Sequence, residues 1–182
     1  MANKFSFHLS SDDRRRSLPN RIIIGLGFNE TVRHVALKFL AWVLFHRERI
    51  QIDADVQNDA IPYVPDVVEL GYDMRPRLWV ECGECSPAKL HKLAVKCPEA
   101  EIWIVKSSPA EAAALLQTMH KEEFRKDRYG VIALEPEMVD EVCNLLRERN
   151  TFHWFRGDFD PPHLQFELNG LWFDHGFEIS RH

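Results

Sequence analysis

Pro65-Asp66-Val67-Val68-Glu69-Leu70, the turn Tyr72-Asp73-Met74-Arg75-Pro76-Arg77, then Leu78-Trp79-Val80-Glu81-Cys82-Gly83-Glu84 form the stretch on which the fold turns. Two apolar runs joined by a tight connection read as antiparallel neighbours. One acid opens the first strand, and two more close its partner. Ser86-Pro87 then opens a helical pattern carrying Lys89, His91, Lys92 and Lys96. With Asp73 to Arg75 at the turn, Asp66 falls opposite or diagonal to Glu81. Side chains alternate faces with period two, so one register puts both carboxylates on one face and a one-residue slip separates them. In the first register they could share a Mg²⁺, which takes hard oxygen ligands.

Outward from this hairpin the chain alternates helix and strand. Asn29 to Arg47 reads as a helix, with Asn29 as N-cap, Glu30 in the first turn, and apolar residues from Val32 to Leu44 at helical spacing. Glu30 and Arg33 share a face. Ile50 to Ala54 is a short strand and Gln57 to Pro62 a loop. Ser86-Pro87 and Ser108-Pro109 are each a cap followed by Pro at the first helical position. Glu101 to Lys106 and Gly130 to Leu134 are buried strands, and Pro136 to Arg149 is a helix. This order predicts a mixed central sheet flanked by helices, an α/β (α+β) fold. The N-terminal hairpin over 4–26 and the C-terminal strands Thr151 to Arg156, Leu164 to Leu168 and Leu171 to Ile179 are expected to form an additional antiparallel sheet. Asn169-Gly170 is the turn between the last two. One domain over 1–182 is expected, with its core at about 29–150.

Composition bounds the function. The 182 residues can bury most of their apolar surface without staples, and twelve Phe and five Trp supply large core side chains. The aromatics of Thr151 to Ile179 suit a buried sheet face better than a base-stacking platform. No apolar run approaches the roughly 20 residues that span a bilayer, and Asp12, Asp13 and three arginines leave no signal-peptide pattern near the start. The chain thus reads as a cytoplasmic monomer. Net charge is −5, yet residues 1–50 hold nine Lys or Arg against four Asp or Glu. This basic third is either an electrostatic footprint for phosphate or a solvated face. Cys82 and Cys85 have zinc-ligand spacing, but a closed site needs a second tight pair. A buried thiol at Cys82, facing away from Glu81, is the packing alternative. His153, His163, His175 and His182 lack ligand spacing. Gly25-Leu26-Gly27 lacks the remainder of a phosphate loop, and no G-x-S-x-G elbow occurs.

An acid in the first helix, Pro65-Asp66 on a strand, a hairpin, Glu81 at its far end and a lysine-bearing helix together resemble the PD-(D/E)XK nuclease superfamily. More closely, the chain resembles the YaeQ family of bacterial proteins. That likeness runs through the N-terminal strands, Glu30-Thr31-Val32-Arg33, Pro65-Asp66, Trp79-Val80-Glu81-Cys82-Gly83-Glu84 and the terminal strands. It implies a restriction-endonuclease-like αβββαβ core with added strands. The superfamily likeness further implies a Mg²⁺- or Mn²⁺-dependent phosphodiesterase acting on nucleic acid. Asp66 and Glu81 would hold the metal, with Glu30 as an outer ligand. The superfamily expects a lysine where this chain has Gly83, so Lys89 or Lys92 would reach back as its equivalent. The alternative is a catalytically inactive nuclease-fold module that binds nucleic acid or a protein. Each acid also has a structural reading: Glu30 complementing a helix dipole, Pro-Asp opening a strand, Glu81 paired with Arg33. Glu69, His91 and Asp73 rank below these as site residues.

Overall fold

The chain is described from a computed structural model over residues 3–58 and 61–182; the expected loop Gln57 to Pro62 includes Asp59 and Ala60, which lie outside the described residues. The elements run β1 (Lys4–Ser11), β2 (Arg21–Gly25), α1 (Val32–Leu44), β3 (Ile50–Ile52), β4 (Val67–Leu70), β5 (Pro76–Cys82), α2 (Pro87–Lys96), β6 (Glu101–Lys106) and α3 (Pro109–Lys121). They continue with β7 (Tyr129–Ala133), α4 (Pro136–Leu145), β8 (Arg149–Phe159), β9 (Pro162–Leu168), β10 (Leu171–Gly176) and β11 (Glu178–Arg181). The helix starts follow from capping chemistry. The hydroxyls of Ser86 and Ser108 accept from the backbone N–H three residues on, with Pro at the next position. In α1 the cap is Thr31 rather than Asn29: its Oγ1 accepts from the His34 N–H, and Glu30 stays outside the helix in the preceding turn. The helix expected to reach Arg149 ends at Leu145, because from Arg149 the chain pairs as β8 alongside β1.

Two mixed sheets result, with strand orders β10-β9-β8-β1-β2 and β11-β7-β6-β5-β4-β3. The first sheet joins the two ends of the chain, but it is not purely antiparallel, since β1 and β8 run parallel from Ser6↔Arg149 to Ser11↔Trp154. The last expected strand divides in two. β10 closes the Asn169-Gly170 hairpin, where both turn residues have positive φ (51° and 86°), as such turns require. β11 crosses to the other sheet and pairs with β7.

α1 lies between the sheets. Ten of its residues are buried, and its Phe39 stacks on Phe7 of β1 at 3.9 Å and meets Phe152 of β8 edge-on at 4.7 Å. Val67, Leu78, Val80 and Cys82 of the second sheet close the opposite side, with α4 completing this layer. The other face of the second sheet carries Val68, Leu70, Trp79, Ile102 and Ile104 under α2 and α3. Burying such a Phe or Leu contributes about 1.5–3 kcal/mol, so the inter-sheet layer dominates the core. Trp154 and Phe166 are buried inside the first sheet as expected, whereas Trp172 faces out and packs edge-on to Phe155. Among the described residues, no helix is long and apolar enough to cross a membrane.

Much of the basic N-terminal third is consumed internally. Arg47 pairs with Glu69 and Glu101, and Arg33 with Asp140. Arg16 caps the end of α1, donating to the carbonyls of Val43 and Leu44, and binds Asp13 at 2.6 Å. Burial raises the Asp13 pKa, but hydrogen bonds from Arg15 and Arg16 override it and hold the carboxyl down at about 2. Asp13→Asn is therefore expected to lower stability by about 2 kcal/mol at neutral pH in a urea titration. The carboxyl titrates near 2 when folded and near 3.8 when unfolded. The wild-type advantage should be intact above the unfolded value and vanish as pH falls through about 2.

Candidate functional site

The open end of the inter-sheet layer is where α1 begins, β4 starts and β5 ends. Helical spacing of four aligns His34 and Lys38 on one face of α1, and Glu30 enters that line from the preceding turn. Glu30 Oε2 accepts the Gly27 N–H at 2.8 Å, and Glu30 Oε1 accepts from Lys38 Nζ at 2.7 Å. Lys38 has no exposed side-chain surface, and its ammonium also reaches Asp53 Oδ2 at 2.8 Å. Asp53 takes a left-handed backbone (φ 50°), and its N–H donates to the carbonyl of Asp66. Asp66 Oδ2 accepts the Cys82 N–H at 2.7 Å, and Asp66 Oδ1 lies 2.7 Å from His34 Nε2. That same His34 nitrogen lies 3.8 Å from Glu30 Oε1.

Glu30, His34 and Asp66 thus bring two carboxylate oxygens and an imidazole nitrogen within 4.8 Å of one another. His34 opens onto a cleft of about 230 Å³ that also touches Asn29, Arg33, Gly83, Glu84 and Ser107. The electrostatics agree with a charged, mutually compensating group. Burial opposes ionisation of Glu30, but the bonds from Lys38 and Gly27 hold its carboxyl below the ordinary range. Burial disfavours a charged His34, yet the bond and charge of Asp66 and the charge of Glu30 raise its pKa above 6.5. For Lys38, burial is likewise outweighed by Asp53 and Glu30, which raise its pKa.

Glu81 stands outside this group. Extending the register Val67↔Val80 sets Asp66 opposite Glu81, as the favourable alignment requires. Asp66, however, precedes β4, and its carboxylate turns to α1. The Glu81 side chain lies on the Trp79 side of the sheet, accepting from Trp79 Nε1 at 2.6 Å and from Lys89 Nζ of α2 at 2.7 Å. The expectation that the two carboxylates face one groove is thereby corrected: Asp66 turns to α1 and Glu81 to α2. They remain close enough to interact, since burial first and the Asp66 charge next raise the Glu81 pKa against the pull of Lys89. The structural pairing expected for Glu81 also changes, because Arg33 goes to Asp140 and Lys89 takes its place. Of the two lysines weighed as substitutes at Gly83, Lys89 reaches an acid, while the Lys92 ammonium lies 5.7 Å over the Tyr63 ring.

Gly83 has positive φ (73°), and its carbonyl accepts from Lys106 Nζ at 2.6 Å. Cys82 packs in the inter-sheet core and Cys85 beside the α2 layer, so the Cys-x-x-Cys pair diverges across the sheet. Burial pushes the Cys85 thiol up to about 12. Sequence reasoning missed His34, Lys38 and Asp53. The signal for the first two was present in the spacing Glu30, His34, Lys38; Asp53 left none, since tertiary folding alone carries it there.

A protein-family model described as YaeQ protein matches residues 2–155. Among solved structures, the YaeQ protein from Xanthomonas axonopodis pv. citri is similar at 16% identity and TM-score 0.75, over 100% of this chain and 99% of that chain. The YaeQ protein from Pseudomonas syringae is similar at 11% identity and TM-score 0.76, over 100% and 97%. No curated protein matches the chain.

Removing the Lys38 charge strands two acids at the end of the core. Lys38→Met is expected to destabilise the protein by about 2–4 kcal/mol at neutral pH in denaturant unfolding. Adding Glu30→Gln should recover part of that loss, and a double-mutant cycle reads the coupling. Equal stability of wild type and Lys38→Met would show that the network contributes nothing to folding.

Proposed function

This chain belongs to the YaeQ family, and we propose that Glu30, His34 and Asp66 form a divalent-cation site serving a metal-dependent phosphodiesterase that acts on nucleic acid. The observation that carries the reading is the convergence of three ligand atoms within 4.8 Å, one of which, from His34, belongs to a residue lining a cleft. The donor set fits such an ion: two hard oxygens and one imidazole nitrogen are what a first-row divalent metal accepts, and the nitrogen favours Mn²⁺ over Mg²⁺. When bound, the ion supplies Lewis-acid charge at a phosphoryl oxygen and a lowered pKa for water.

The rest of the work falls to the chain. Lys38 and the Gly27 N–H fix the Glu30 carboxylate from two sides, and the Cys82 N–H fixes Asp66. Ligands whose second contacts are already made lose little freedom on binding. Glu81, on this reading, is a positioning residue: it holds Lys89 at the end of β5, where an ammonium can offset charge growing on a phosphate. Lys89 then serves as the cation absent at Gly83, in a variant of the PD-(D/E)XK arrangement and a restriction-endonuclease-like core.

A second reading has its own observation. Lys38 and Lys89 are both bonded to carboxylates, and Gly83 stands at the lysine position of the motif. This favours an inactive nuclease-fold module that binds nucleic acid or a protein.

Calorimetric titration with Mn²⁺, run beside a panel of nucleic acid substrates, tests both. Wild type is expected to bind one Mn²⁺. Asp66→Asn and Glu30→Gln should weaken it at least ten-fold, while Glu81→Gln should keep metal affinity and lose cleavage. Binding must displace the His34 proton, and that pKa is raised above 6.5. Affinity should therefore fall as pH is lowered from 8 to 6, with proton release on binding. Metal affinity lost in Glu81→Gln but kept in Glu30→Gln would return the site to the Asp66–Glu81 pair. Metal binding without cleavage of any substrate would favour the inactive module.

A further inference from the structure

The turn leading into the metal-ligand candidates carries a side chain that folding leaves unused. Phe28 is fully exposed and makes no ring contact among the described residues. The two other large exposed aromatics have ring partners: Tyr72 lies under the Arg49 guanidinium at 4.8 Å, and Trp172 packs against Phe155. Leaving a Phe in water forgoes about 1.5–3 kcal/mol of burial, which a ligand covering the ring would recover.

The turn is held in place. The Glu30 N–H donates to the Gly27 carbonyl at 3.1 Å, and Glu30 Oε2 accepts the Gly27 N–H. A Cβ at residue 27 would lie 3.0 Å from the Glu30 carboxyl carbon, so glycine is what lets the two close on each other. Phe28 is therefore fixed relative to a proposed metal ligand, one oxygen of which holds the turn while the other faces Lys38. The segment before this turn is tied to β1, since Gly25 pairs in register with Lys4 and the Leu26 N–H donates to the Asn3 carbonyl. A flat apolar ring beside a site for phosphate is one element by which proteins hold a single strand, through stacking on a base.

We propose that Phe28 positions substrate by stacking on an unpaired base next to the phosphate at the Glu30–His34–Asp66 cluster, so that the substrate is single-stranded or locally opened nucleic acid. This rests on the nuclease reading above and narrows its substrate. Duplex bases are stacked on both faces and offer this ring nothing, which is why strandedness is the discriminating variable.

The experiment measures fluorescence anisotropy of a short labelled single strand and of its duplex, with Ca²⁺ in place of Mn²⁺ to leave the strand uncleaved. Phe28→Ala should weaken single-strand binding roughly ten-fold, and Phe28→Trp should retain it. Tyr72→Ala, at an exposed aromatic of the β4–β5 turn, should have no effect. Thermal midpoints of all three variants should match wild type. A 2-aminopurine in the strand should be quenched on binding wild type and not on binding Phe28→Ala. Wild type that binds the single strand while Phe28→Ala binds it equally well overturns this inference and leaves the nuclease reading standing. Wild type that binds Mn²⁺ but neither form of nucleic acid overturns both.

Discussion

A helix covered on two sides by sheets is the constraint from which the rest follows. α1 must present apolar surface nearly all round, and it does from Val35 to Phe45, with one exception. Lys38 sits in that run with no exposed side-chain surface. An unpaired ammonium there would cost far more than the core around it could supply, so carboxylates must meet it. Glu30 and Asp53 do, and in meeting it they pull the turn before α1 and the segment after β3 onto the start of β4. Glu30 of the candidate site is thus held, with Asp53, by the need to neutralise a buried cation.

That assembly explains why one arrangement can serve both folding and chemistry. Glu30 is held by Lys38 and Gly27, His34 by Asp66, and Asp66 by the Cys82 N–H. Glu30 and Asp66 enter the cluster with a second contact already made, and His34 lines the cleft beside it. Glu81 and Lys89 repeat the principle on the other side of the sheet, where a carboxylate buried beside Trp79 is tolerated because an ammonium and an indole N–H occupy both its oxygens. The two halves communicate through charge across the β4–β5 pair, which is how Asp66 raises the Glu81 pKa.

The sequence, by itself, determined the local grammar: Ser-Pro starts for α2 and α3, the Asn169-Gly170 turn, the β4–β5 hairpin, and the apolar stripe of α1. These depend on neighbours a few residues away, and capping, turn chemistry and periodicity report them directly. It also placed Glu30, Asp66, Glu81 and the α2 lysines near one end of one sheet. What it left to tertiary structure was direction. Register set Asp66 opposite Glu81, but Asp66 lies just outside the strand, where period-two alternation no longer dictates its face, and the His34 imidazole and Cys82 N–H draw it to α1. β8 pairs parallel to β1 from more than a hundred residues away, and β11 leaves one sheet for the other, because edges and faces are filled by whatever the whole chain brings to them. Asp53 had no local mark at all. Its place beside Lys38 is decided by the cost of a buried charge, and that cost exists only once the two sheets have closed over the helix.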